Sequence, residues 1–244
     1  MNRGTTISRW LFSTDVDDTI LGDDDSLAIL AADLKTKRER VILTLNSSRP
    51  CASVRKSMQE NPLLPEPDFL VGALGTEIEI GGKAQRLEEY TDMLNSKWDR
   101  GDIEALMNRL HLQAHPDEFQ TPHKASYSIK NNEQYKQVQA LLEDAGIDVK
   151  VIYSGRTNLD FIPINAGKGA AIQYLRSILN IDLTRIVVAG DSLNDIDMFK
   201  LPNKVIIVAN AEAEIKSLMG DHIYHAQSRF AAGVLEGLRF WGVL

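Results

Sequence analysis

Short runs of apolar residues recur along the chain, each closed by a polar turn. Residues 10–12, 41–45, 69–71, 186–189 and 205–208 are apolar at nearly every position, the pattern of strands buried on both faces. Helical spacing follows most of them: Leu27, Leu30 and Leu34 mark one helix, 170–179 a second and 196–201 the start of a third. Strands alternating with helices predict a parallel sheet covered by helices. The stretch after Gly81-Gly82 reads differently. It predicts a helix over 97–110, an alternating strand over 125–129, a helix over 133–145 and two strands over 149–153 and 159–162. Alternating polarity there points to a small α+β insert with one sheet face exposed. The predicted layout is a discontinuous α/β core, 1–82 and 164–244, interrupted by an inserted domain over 83–163.

Ligands of an open parallel sheet collect beyond the carboxyl ends of its strands. The first run ends in Asp15-Val16-Asp17-Asp18-Thr19, the second in Asn46-Ser47-Ser48-Arg49 and the fourth in Gly190-Asp191-Ser192-Leu193-Asn194-Asp195. A lysine in a glycine-flanked turn, Ala166-Gly167-Lys168-Gly169, opens the second helix. Carboxylates crowded at one sheet edge repel one another unless a cation sits among them. Asp15, Asp17 and Asp191 are therefore read as a Mg²⁺ site, since oxygen donors from few side chains leave room for water and a phosphate oxygen. The matching chemistry is phosphoryl transfer. Asp15 is the candidate nucleophile and Asp17 the candidate acid and base. Lys168 and the Ser47 hydroxyl would hold phosphoryl oxygens, and Asp195 would orient Lys168 or a metal-bound water.

Composition narrows the partners. With 43% hydrophobic residues in 244 the chain can bury a full core, and its formal charge of -7 excludes a surface built to attract nucleic acid or anionic membrane. An anionic small molecule would need a local cation such as Lys168. Cys51 is the only cysteine, so no internal disulfide forms and the thiol is expected to be an ordinary packed one. The chain reads as cytoplasmic, without an apolar stretch of membrane-spanning length. An EF-hand would need Gly and Glu where Ile20 and Ser26 stand, and a P-loop would need Ser or Thr where Gly169 stands. His111 and His115 have helical spacing but no partner for zinc.

Taken in order, D-V-D-D-T, S-S-R, G-K-G and G-D-S-L-N-D resemble the four motifs of the haloacid-dehalogenase-like (HAD) phosphatase superfamily. The insert is similar to the α/β cap of its Cof-like branch. Residues 120–127, 159–163 and 224–228 resemble sucrose-phosphate phosphatases more narrowly. The second motif, commonly T-G-R there, is Ser47-Ser48-Arg49 here, and mannosylfructose-phosphate phosphatases resemble the chain too. The resemblance implies an α/β HAD-like Rossmannoid core with an α+β cap that selects the substrate. It makes Asp15 and Asp17 nucleophile and acid/base, and gives Asp191 and the Asp17 backbone carbonyl to Mg²⁺. Ser48, Arg49 and Asn194 would lie by the substrate, with Gln120, His123, Lys124 and Tyr127 as cap contacts. The implied substrate is a soluble sugar phosphate, first of all sucrose 6-phosphate. A phosphomannomutase-like transferase and a non-catalytic sugar-phosphate sensor remain the rival readings, and contact with a sugar-phosphate synthase stays open.

Overall fold

The structure is a computed structural model and describes residues 9–81, 83–94, 98–155 and 157–244. The chain opens with β1 (Trp10–Thr14), α1 (Asp24–Thr36), β2 (Val41–Asn46), α2 (Cys51–Glu60), β3 (Phe69–Gly72), β4 (Glu77–Ile80), β5 (Gln85–Arg86) and α3 (Glu88–Leu94). It continues through α4 (Arg100–Arg109), β6 (Gln113–Ala114), β7 (Ala125–Ser128), α5 (Asn132–Ala145), β8 (Val149–Ser154) and β9 (Asn158–Pro163). It closes with α6 (Lys168–Leu179), β10 (Ile186–Gly190), α7 (Ile196–Phe199), β11 (Lys204–Ile207), α8 (Ala213–Lys216), β12 (Ile223–His225) and α9 (Phe230–Phe240).

Among the described residues these strands form two sheets. The larger runs β12-β11-β10-β1-β2-β3-β4-β5, parallel from β12 to β3 and antiparallel beyond. Every residue of β1, β2 and β10 is buried, which is why those strands read as mostly apolar runs. Strand order reverses beside β1, with β2 on one side and β10 on the other, so the turns after these three strands emerge together.

The smaller sheet, β6-β7-β9-β8, is antiparallel. One of its faces packs on α4 and α5 through Ile103, Met107, Tyr127, Val138, Leu159 and Phe161, a cluster separate from the main core. Local signals set the ends of these helices. Asp99 accepts from the amides of Gly101 and Asp102 at the start of α4, and Asn131 accepts from Gln134 at the start of α5. Gly146, in the left-handed region at φ 65°, ends α5. The expected start of α4 at Lys97 lies outside the described residues, as does Gly82 at the expected domain boundary. Among the described residues no helix is long and apolar enough to cross a membrane.

Phe12 is fully buried at the centre of β1. Phe12→Ala should cost about 3–5 kcal/mol of unfolding free energy. A denaturant midpoint close to that of the wild type would show that β1 is not the keel of the core.

Candidate active site

The turn after β1 is pinned to the end of β10 by the Asp15 amide, which donates to the Ala189 carbonyl at 2.9 Å. That bond sets the Asp15 carboxylate over the sheet edge, 4% exposed. Lys168 reaches the same point from the first turn of α6, itself 1% exposed. Its ammonium donates to Asp15 Oδ1 at 2.5 Å, Asp195 Oδ1 at 2.6 Å and Asn194 Oδ1 at 2.7 Å. All three of its N–H groups are thereby used.

Asp195 is fixed from its other side, where Oδ2 accepts from the backbone amides of Asp191 and Ser192 at 3.0 and 3.2 Å. Gly190 makes this possible, because a Cβ there would overlap the Asp195 carboxylate. The third acid, Asp191, accepts from the Thr19 hydroxyl at 2.8 Å. Gly167, at φ +140°, brings the chain into α6 past the Asp197 carboxylate, which accepts from the Gly169 amide at 3.0 Å.

Carboxylate oxygens of Asp15, Asp191 and Asp195 lie within 4.8 Å of one another, the group among the described residues able to hold a metal. Three acids face one ammonium in a dry setting, and the electrostatics are strained accordingly. Burial foremost, then the neighbouring acids, raises Asp15 well above the usual carboxylate range, against the pull of Lys168. Burial and Asp195 push Asp191 up to about 7, against the Thr19 hydrogen bond. Burial draws Lys168 down, but Asp15 and Asp195 outweigh it and hold the ammonium above its ordinary value. An all-oxygen donor set with surplus negative charge fits a hard divalent cation such as Mg²⁺.

Asp17 stands elsewhere. Its carboxylate accepts from Arg49 Nε at 2.7 Å and is 49% exposed, so the side chain is not part of the acidic cluster expected to include it. Asp195 takes that place in space, although both of its oxygens are already committed. Arg49 is braced by the Ser57 hydroxyl at 2.8 Å. Ser47 is buried behind β2, its amide donating to the Val71 carbonyl and its hydroxyl accepting from the Arg49 amide.

Three expected cap contacts prove to be spent within the protein. Tyr127 faces the other side of β7, edge-on to Phe161 in the core of the smaller sheet, because alternate strand residues point to opposite faces. The Gln120 amide is bonded to the His115 carbonyl and to both backbone groups of Ser126, so it ties its own turn together. Lys124 is ion-paired with Asp160 and donates to the Ser48 carbonyl. His123 is partly buried, and its pKa is lowered by burial foremost, with Glu77 and Arg86 close enough to act on it.

Sequence reasoning gave no role to Thr19, Asn46 or Asp197. Thr19 completes the D-V-D-D-T motif and holds Asp191. Asn46 donates to the Lys168 carbonyl at 3.2 Å and to Ser13 Oγ at 3.3 Å, tying the end of β2 to the lysine turn. The signal for both was their place inside motifs already singled out. Asp197 is two residues past the last motif and gave no such signal. Cys51 is buried with its thiol against the Leu70 carbonyl, and burial and Glu77 push its pKa up.

An aspartate at the switch point of a parallel sheet, a buried lysine and an acidic pair behind it define a phosphohydrolase of the HAD type. Residues 8–242 match the sucrose-6F-phosphate phosphohydrolase family. The mannosylfructose-phosphate phosphatase of Agrobacterium fabrum is 33% identical over 96% of this chain and 97% of its own. Sucrose-phosphatase 1 of Nicotiana tabacum is 29% identical over 98% of this chain, which spans 60% of that longer protein. The structure of the sucrose-phosphatase from Synechocystis sp. PCC6803, in complex with sucrose and phosphate, superposes with a TM-score of 0.90 at 29% identity, over 96% of this chain and 98% of that one. A HAD subclass IIB sugar phosphatase, 12% identical with a TM-score of 0.72 over 96% of this chain and all of that one, shares the fold. The chain belongs to the sucrose-6F-phosphate phosphohydrolase family, a family of phosphoric monoester hydrolases.

The shift of Asp191 has a testable sign. Its folded value lies above its ordinary 3.8, at about 7, so the native state holds the extra proton and loses stability as pH rises through that window. In divalent-free buffer the melting temperature of the wild type, relative to Asp191→Asn, should fall from pH 4 towards neutrality. Calorimetry showing a flat or rising difference would contradict the buried, cation-starved cluster.

Proposed function

We propose that this protein is a Mg²⁺-dependent phosphatase of a disaccharide phosphate containing fructose, with sucrose 6-phosphate as first substrate and mannosylfructose 6-phosphate as second. The observation that carries the reading is the buried Lys168 held between Asp15 and Asp195, with Asp191 alongside. Sucrose and phosphate bound to the Synechocystis relative, and the mannosylfructose phosphatase at 33% identity, support the substrate class.

Asp15 and Asp191, with the backbone carbonyl of Asp17, would hold the cation. Bound there, Mg²⁺ supplies the positive charge that lets an anionic nucleophile meet an anionic phosphate. A phosphoryl oxygen replaces one of the three acceptors of Lys168, and the Ser47 hydroxyl takes another oxygen. Arg49 keeps Nη2 buried without a protein partner, a donor available to the substrate. Asp15 then attacks phosphorus, and the bond from phosphorus to the sugar oxygen breaks. Asp17, turned inward from Arg49, gives that oxygen its proton. Water attacks the aspartyl-phosphate, Asp17 takes a proton from it, and breaking of the bond to Asp15 frees inorganic phosphate.

The insert expected over 83–163 acts in this reading as a cap that excludes bulk water and selects the sugar. Its own core is drawn from residues 103–161, whereas β5 pairs with the large sheet and Tyr90 and Leu94 of α3 join the main core.

A phosphate-release screen over sucrose 6-phosphate, mannosylfructose 6-phosphate and hexose phosphates tests the proposal. One disaccharide phosphate should dominate without a bisphosphate activator, and chelation or Asp15→Asn should reduce turnover to background. Isomerised sugar phosphate in place of free phosphate would make the protein a mutase. Ligand binding without turnover would make it a sensor.

A further inference from the structure

The turn over 121–124 leaves the smaller sheet and meets the larger domain, and it is braced to an unusual degree. Arg100 donates through Nη1 to the carbonyls of Thr121 and Lys124 at 2.5 and 2.6 Å, and through Nη2 to Gln120 Oε1 at 3.1 Å. Trp98 Nε1 donates to the Pro122 carbonyl at 2.8 Å. With the Gln120 amide bonded on both sides, the backbone of this turn is held from several directions. A turn whose backbone is held from several directions is preorganised to present something.

It presents Lys124. The side chain is buried to 5%, where an ammonium is costly unless paired. Asp160 of β9, itself oriented by the Ser126 hydroxyl at 2.5 Å, lies 3.3 Å from Nζ. The ammonium also crosses to the other domain and donates to the Ser48 carbonyl at 3.0 Å. That carbonyl belongs to the peptide group joining Ser48 to Arg49. On one side of it is Ser47, whose hydroxyl accepts from the Arg49 amide; on the other is Arg49, whose guanidinium holds Asp17. A shift of this one peptide therefore moves both the hydroxyl and the arginine.

We infer that Lys124 is a positioning residue: the cap, when docked, uses this buried lysine to fix the Ser48 peptide and so sets the Ser47 hydroxyl and the Arg49 guanidinium for phosphoryl transfer. The inference rests on the phosphatase reading above. It differs from the sequence expectation that Lys124 binds the sugar, since its ammonium is given to Asp160 and Ser48.

The test compares wild type, Lys124→Met and Lys124→Arg on sucrose 6-phosphate and on p-nitrophenyl phosphate, which carries no sugar. Positioning predicts that Lys124→Met lowers kcat about tenfold or more on both substrates by similar factors, with little change in KM, and that Lys124→Arg recovers part of it. Amide exchange should quicken at residues 47–49 and 51 and at Ala73 and Leu74, whose amides donate to Arg49 and Ser47. A KM increase confined to the sugar phosphate, with p-nitrophenyl phosphate turnover intact, would make Lys124 a sugar contact and overturn the inference. If Lys124→Met fails to fold because Asp160 is left unpaired, Lys124→Met/Asp160→Asn removes the stranded charge and is read in the same way. Should wild type turn over no phosphomonoester, the phosphatase reading falls. The exchange measurement then decides alone, and unchanged exchange at residues 47–49 and 51 overturns the inference.

Discussion

The ammonium of Lys168, buried between Asp15 and Asp195, is the interaction on which the rest of the site depends. Removing one partner from such a pair costs about 3–5 kcal/mol, because the charge left behind cannot recover its water. The site spends several elements on preventing this. Gly167 admits the lysine turn, Asn46 holds its carbonyl, Gly190 leaves room for Asp195, and two backbone amides fix that acid from behind. The lysine satisfies one negative charge of three, and the surplus lies with Asp15 and Asp191. The same burial that makes Lys168 precise therefore makes a divalent cation the natural complement of the site.

Topology makes the arrangement affordable. Three turns, at residues 15–19, 46–49 and 190–195, meet because β2, β1 and β10 are neighbours with their carboxyl ends on one edge. The smaller sheet adds its own layer. Its far face is packed on α4 and α5, and from the turn before β7 it sends a single buried lysine into the second of those strand-end turns. The acidic cluster thus stands on the larger sheet, and polar contacts such as that of Lys124 join the smaller sheet to it.

Much of this was readable in the amino-acid pattern, for physical reasons. Doubly buried parallel strands are mostly apolar, so runs such as 186–189 identified both the strand and the position of Asp191 after it. Lys168 stood out between two glycines for the same steric reason that the structure displays at Gly167. Other elements left no such trace. The two-residue strands β5 and β6 are too short for any period, and the pattern predicts no element at β4, where Arg86 and Arg55 allow Glu77 and Glu79 to be buried. Cap polar residues were the hardest. Gln120 and Lys124 carry the same groups whether they face a sugar or a backbone carbonyl, and only the fold separates the two. The place of the Asp17 side chain was hidden in a related way, because its spacing from Asp15 says nothing of Arg49 arriving from the turn after β2.

The central claim is that the acids gathered around Lys168 are completed by one divalent ion held through Asp15 and Asp191, with the Asp17 side chain outside its coordination. Titration calorimetry of Mg²⁺ into wild type, Asp191→Asn and Asp17→Asn measures this directly. The account predicts a single site in wild type that persists in Asp17→Asn and is lost in Asp191→Asn. Equal binding by wild type and Asp191→Asn, or no binding by correctly folded wild type, would contradict it.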